Sequence, residues 1–240
     1  MRNFIKVVAT TAAVAALTST AMAQITYVDA TDGAAGNTAI APSAGGGTFT
    51  AFVGQTGVAD DGVWDLRAFG NSATIFQNAG TTEQFDVNAP RLETSVTGLA
   101  LDTYNVYAYF WTDSSLNWRV GASLSDSVGQ LSLFLPGGAN TTQYYTGADA
   151  TVLSSSLSVN PFTSDVMIAE GNRRLNQAYL GQVTGTDISV FIEGDRTMTT
   201  QDQRTWYEGI GYSVVPEPSS MALLGLGALL ATFAVRRRMS

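Results

Sequence analysis

Between Gln24 and Val215 the chain offers carboxylates, tyrosines and arginines for chemistry and little else. No histidine or cysteine occurs anywhere, and the one lysine, Lys6, lies near the start. Those absences exclude Ser-His-Asp and Cys-His nucleophiles, Schiff-base lysines, His-ligated zinc and thiolate metal centres. Two carboxylates flanking a glycosidic bond remain open as chemistry. Glu170, Asp187, Glu193, Asp195, Asp202 and Glu208 are the candidates for it among the domain's acids, and nothing in their spacing singles out a pair. The expectation is a non-enzymatic protein, with a carboxylate-dependent glycosidase or lyase as an alternative. Asp60 and Asp61 sit in a glycine-flanked loop, Gly57 to Gly62, as oxygen ligands for calcium often do. Calcium needs about six to eight oxygens, and no Asp-x-Asp-x-Asp run provides them. A polar turn with no metal and no cofactor is the expectation there, and calcium is the one ion these residues leave open.

Sugar recognition asks for flat aromatic faces with polar side chains beside them. Trp111, Trp118 and Arg119 gather around the polar loop Thr112 to Asn117, and Trp206 and Tyr207 follow the polar run Thr197 to Thr205. These five residues are the ligand-binding candidates. For each tryptophan core packing is the favoured reading over ligand stacking, since any packed β domain needs large aromatic side chains.

The segments that must position these side chains read as strands and turns. Ile25 to Val28, Thr48 to Val53, Val63 to Phe69, Thr74 to Gln77 and Arg91 to Val96 come first. A small-residue loop reaching Gly45-Gly46-Gly47 separates the first two. Val63 to Phe69 alternates, placing Trp64, Leu66 and Ala68 on one face and Val63, Asp65, Arg67 and Phe69 on the other. Thr103 to Trp111 is the strongest strand, aromatic and β-branched on both faces, and is expected at the centre of a sheet. Trp118 to Leu124 and Gln130 to Leu135 follow; Ala139 to Thr163 weakens into a long loop or irregular edge. Val166 to Ala169, Arg174 to Val183, Asp187 to Ile192 and Trp206 to Val214 complete the series, with Gly171-Asn172 and Thr184-Gly185-Thr186 as hairpin turns. About ten to twelve short strands with no helix between them predict two packed antiparallel sheets, a sandwich of jelly-roll type, over residues 24–215.

That region holds 7 arginines against 19 acidic residues, a formal charge of −12, whereas the whole chain carries −8. Nucleic acid and anionic membranes are poor partners for such a surface. With no cysteine, the domain must be held by burial alone, which some 190 residues suffice to do.

Both ends read as addresses. Arg2 and Lys6 precede an apolar run from Val7 to Leu17, and Ala21-Met22-Ala23 supplies the small-x-small pattern of a signal-peptidase site. Residues 1–23 are therefore expected to be a cleaved signal peptide, with signal peptidase and the export machinery as partners. At the other end Val215-Pro216-Glu217-Pro218 runs into an apolar segment ending at Arg236, Arg237 and Arg238. Met221 to Val235, fifteen residues, span about 22 Å as a helix. Ser219 and Ser220 and snorkelling arginines extend that reach toward a single transmembrane helix over 219–235, with the basic tail 236–238 on the cytoplasmic side.

A Pro-Glu-Pro signature, a short hydrophobic helix and an arginine cluster, in that order over residues 216–240, resemble the PEP-CTERM sorting signal of bacterial exported proteins. The resemblance implies processing near Pro216-Glu217-Pro218 by an exosortase-type membrane protease, transient anchoring in the inner membrane, and a final place at the cell surface or in the extracellular matrix. Because proteins with this signal are associated with exopolysaccharide production, it also implies extracellular polysaccharide as a partner. Within the domain, Gly98-Leu99 followed by Thr103-Tyr104-x-Val106-Tyr107-x-Tyr109, with the closing aromatic strand, is similar to the galactose-binding-like sandwiches of carbohydrate-binding modules. A purely structural, self-associating surface or biofilm protein is the other alternative, and the Ser/Thr-rich stretch from Val152 to Val159 is its candidate edge.

Overall fold

The computed structural model describes residues 23–31, 38–41, 49–52, 62–69, 73–78, 89–113, 117–127, 131–137, 146–153, 159–163, 173–197 and 204–216. Every regular element among them is a strand. No helix among the described residues is long and apolar enough to cross a membrane, and the helix expected over 219–235 lies outside them.

Thirteen strands join one continuous, strongly curled mixed sheet: β1 Thr26–Asp29, β2 Thr38–Ile40, β3 Phe49–Phe52, β4 Trp64–Phe69, β5 Ala73–Gln77, β6 Leu92–Val96, β7 Asp102–Thr112, β8 Val120–Ser123, β9 Ser132–Pro136, β10 Thr146–Val152, β11 Arg174–Gly185, β12 Ile188–Glu193 and β13 Trp206–Val214. Their order is β2-β6-β12-β8-β9-β10-β11-β7-β13-β5-β4-β3, with β1 added alongside β13. β7 lies between β11 and β13, the interior position that its apolar sequence predicts.

Two features differ from a pair of antiparallel sheets. β9 and β10 run parallel, as do β3 and β4. In addition, β10 pairs with β9 along its length and with β11 at its end, so the hydrogen-bonded path is unbroken between the two halves. The Thr184-Gly185-Thr186 turn closes no hairpin, because β11 pairs with β7 and β10 whereas β12 pairs with β6 and β8. The chain crosses from one half of the sheet to the other at that point. β10, paired on both sides, stands where a long loop or irregular edge is expected, and β2 stands in the small-residue stretch that follows β1. The expected strand Val166 to Ala169 lies outside the described residues.

Curling lets one face of each half share a core. Tyr104, Val106, Ala108 and Phe110 of β7, with Ala178 of β11 and Ile210 of β13, pack with Leu92, Val120, Ala122, Phe134, Ile188, Val190 and Ile192 from the other half. The even-numbered residues of β7 supply this side, as period-two alternation requires. Trp64 of β4 is buried here with Leu66 against it, the face predicted for both, and its indole N–H donates to the carbonyl of Pro90. The odd-numbered Tyr109 and Trp111 point the other way and enter a second cluster with Ile75, Trp118, Leu175 and Trp206. Leu153 and Phe162 pack against that second cluster.

Candidate functional site

Strand alternation separates the five ligand candidates. Trp111, Trp118 and Trp206 come together in the second cluster, whereas Tyr207, the next residue along β13, enters the shared core. All five are buried. Trp118 and Trp206 meet edge to face with centroids 4.2 Å apart. Guanidinium groups lie over their rings: Arg173 at 4.3 Å from the Trp118 centroid and 4.9 Å from that of Trp206, Arg204 at 4.9 Å over Trp118, and Arg67 at 4.7 Å over Trp206. Such cation–π contacts are worth about 0.5–2 kcal/mol each, rising as the cation loses water. The ring faces of Trp118 and Trp206 that a sugar would stack on are therefore occupied by arginines of the same chain. The Tyr207 hydroxyl shares a 2.6 Å hydrogen bond with Thr94 Oγ1, and burial raises its pKa.

Arg119 belongs to an ionic group at the end of β12. Its guanidinium lies 3.4 Å from a carboxylate oxygen of fully buried Asp195. Burial lowers the pKa of Arg119, and Asp195 opposes that shift. Nearby, Arg91 bridges Glu193 at 3.1 Å and Asp126 at 2.8 Å, and Arg196 contacts Glu193. Two of the six candidate acids for a catalytic pair, Glu193 and Asp195, thus hold arginines in place. Asp187 accepts the backbone N–H of Gly98, while Glu170 and Asp202 lie outside the described residues.

Glu208 differs from these. It is 2 % exposed, and three neutral donors converge on it: Trp111 Nε1 at 2.7 Å, Asn160 Nδ2 at 2.8 Å and the Tyr27 hydroxyl at 3.3 Å. Burial pushes its pKa up to about 7; the bond from Trp111 counters this, the charge of Asp29 adds to it, and the bonds from Asn160 and Tyr27 counter it further. Burial also raises Tyr27 well above the ordinary tyrosine value, with the charges of Glu208 and Asp29 adding to the effect. Asn160 is itself fully buried and caps the next turn by accepting the N–H of Phe162 at 2.9 Å. Phe162 stacks on Tyr27 at 5.0 Å and meets Tyr109 edge on at 4.9 Å. Glu208 therefore ties β13, β7, β1 and the 159–163 segment together from below a lid of rings. As a general acid it has no open approach for a substrate; as an acceptor that fixes four elements its geometry is complete. Sequence reasoning passed over Tyr27 and Asn160, and no signal in their surroundings distinguishes them from other strand and loop residues.

Asp60, Asp61, Ala21, Glu217, Pro218, Arg236, Arg237 and Arg238 lie outside the described residues, whereas Ala23 and Pro216 are described, with Pro216 exposed two residues after β13 ends. Among the described residues no group of three or more acidic side chains is arranged to hold a metal. No match to the chain was found among curated proteins or among solved structures, so the likeness to galactose-binding-like sandwiches rests on the residues of the central and closing strands alone. A family model described as the PEP-CTERM protein-sorting motif matches residues 214–238. The match begins at the last residue of β13, and by it the chain carries the PEP-CTERM motif of exported proteins whose C-terminal signals are processed by exosortase, a membrane protein.

Proposed function

We propose that this is a non-enzymatic protein of the cell surface or extracellular matrix, freed from the inner membrane by exosortase and binding exopolysaccharide through its β domain. The sorting motif at residues 214–238 carries this reading. The enclosure of Glu208, Glu193 and Asp195 supports binding over hydrolysis. The buried tryptophans hold the fold, so any glycan must meet other side chains.

The motif is tested by replacing Pro216, Glu217 and Pro218 with alanine in a host that carries an exosortase. The hydrophobic segment is untouched, so the variant should remain uncleaved in the inner membrane while the wild type loses its tail. Equal release of the two forms, followed by immunoblotting of membrane and surface fractions, would remove the sorting reading.

A further inference from the structure

The second face of the β7–β11 pair changes character along its length. At one end Tyr109 and Trp111 lie beneath Phe162 and neighbouring side chains. Toward the other end the same face continues as facing cross-strand pairs: Tyr107 opposite Tyr179, Asn105 opposite Gln182 and Thr103 opposite Thr184. Tyr179 is 49 % exposed, and Gln182 and Thr184 are also exposed.

A β-bulge makes this row possible. Leu180 and Gly181 together oppose Val106, and Gly181 adopts φ 118°, a conformation that favours glycine. Residues three apart project from opposite faces of a regular strand, and the bulge brings Gln182 back to the face of Tyr179. With it, the two rings lie 5.4 Å apart beside an amide pair on one surface.

The pairs are locked to one another. Tyr179 donates its hydroxyl to Asn105 Oδ1 at 3.2 Å, Gln182 Nε2 donates to the same oxygen at 3.0 Å, and the Thr103 and Thr184 hydroxyls are 2.8 Å apart. Two donors on Asn105 Oδ1 leave its Nδ2 hydrogens as that amide's remaining capacity, and Gln182 retains its Oε1 as an acceptor. An exposed ring, an amide donor, an amide acceptor and hydroxyls are thereby presented in fixed positions on a rigid sheet.

We infer that this strip, centred on Tyr179, Asn105 and Gln182, is a binding platform for an uncharged glycan chain. The inference rests on the exopolysaccharide reading above and names its site and ligand class. Charge supports the choice of ligand. None of the residues in these pairs is ionisable at neutral pH, although the domain carries a formal −12. An acidic polymer would meet repulsion from that charge, and a basic protein would find no carboxylate in the strip. A neutral, hydroxyl-rich chain meets a ring for its apolar face and amides for its hydroxyls.

The test is affinity electrophoresis of the full-length protein in mild detergent through gels holding a neutral galactomannan, a neutral β-glucan, acidic polygalacturonate or the producing cells' own exopolysaccharide. Retardation by at least one neutral gel, with none by polygalacturonate, is expected. Tyr179→Ala should weaken the apparent affinity about tenfold, the order expected for loss of one stacking ring. Gln182→Glu, which adds a charge without changing shape, should weaken it similarly, and Tyr179→Phe should stay within about threefold of the wild type. Wild-type binding unchanged by Tyr179→Ala and Gln182→Glu would overturn this site while leaving glycan binding intact. No retardation of the wild type in any gel would overturn both the site and the glycan reading. Concentration-dependent self-association abolished by Tyr179→Ala would assign the strip to a second copy of the chain and overturn the inference.

Discussion

Glu208 carries the clearest single-residue consequence. Its pKa of about 7 in the folded protein lies above the 4.5 of an ordinary glutamate, so folding favours the protonated form. The stabilisation linked to that shift is full below about pH 4.5 and is lost as pH rises through about 7. At about 1.36 kcal/mol per pH unit, the loss is of the order of 3 kcal/mol. Glu208→Gln, which is neutral at every pH and can still accept from Trp111, should flatten this part of the profile. Melting temperatures of wild type and variant between pH 4 and 8 should diverge in slope; parallel profiles would refute the raised pKa. Sequence placed Glu208 among six acids without ranking it. What distinguishes it is enclosure by Trp111, Asn160 and Tyr27, which lie 97, 48 and 181 residues away along the chain. The nearness of Trp111 to Trp118 was legible from the short loop between them, whereas Trp206, read as part of a second group with Tyr207, joins them only in the structure. Core packing is the favoured reading of each tryptophan, because a packed β domain needs large aromatic side chains, and all three are buried.

At the scale of elements, close strand contact is set by missing side chains. A β-carbon on Gly209 would stand 2.3 Å from the carbonyl oxygen of Val28 and 3.2 Å from the backbone of Asp29 and Ala30. Those atoms belong to β1 and the residue after it, and backbone cannot rotate away. Gly209→Ala should therefore part β1 from β13 and cost about 3 kcal/mol or more in urea denaturation. Gly185→Ala serves as its control, because the nearest atom there is 3.8 Å away, and the change should fall within about 0.5 kcal/mol. A small effect at Gly209 would mean that β1 is loosely held. The strong strands β7, β11, β12 and β13 were legible to within about two residues, since each carries enough apolar or aromatic residues to declare itself. β10, Thr-Gly-Ala-Asp-Ala-Thr-Val, has weak strand propensity, and its conformation comes from the hydrogen-bonding edges of β9 and β11. Parallel pairing and the crossing after β11 depend on partners that periodicity does not encode.

For the whole molecule, the shared core makes the two halves interdependent. Val190 and Ile192 of one half are buried against the same cluster as Val106 and Phe110 of the other, without any disulfide to hold them. The last strand occupies an interior position, with β7 along one edge and β5, then β1, along the other. The core is thus incomplete until residues 206–214 arrive, immediately ahead of the sorting motif. That arrangement also decides how the domain bears tension. A pull at Val215 in the strand direction runs along β13 and loads its hydrogen bonds on both edges in parallel, in shear, so they cannot open one at a time. Single-molecule stretching between residues 30 and 215, at opposite ends of the antiparallel β1–β13 pair, should show rupture forces well above those obtained between residues 25 and 215, which lie at the same end and unzip it. Similar forces in the two directions would mean that the interior position of β13 confers no mechanical advantage. A protein held to a surface through the end of this strand would be tethered by the part of its sheet that resists tearing most.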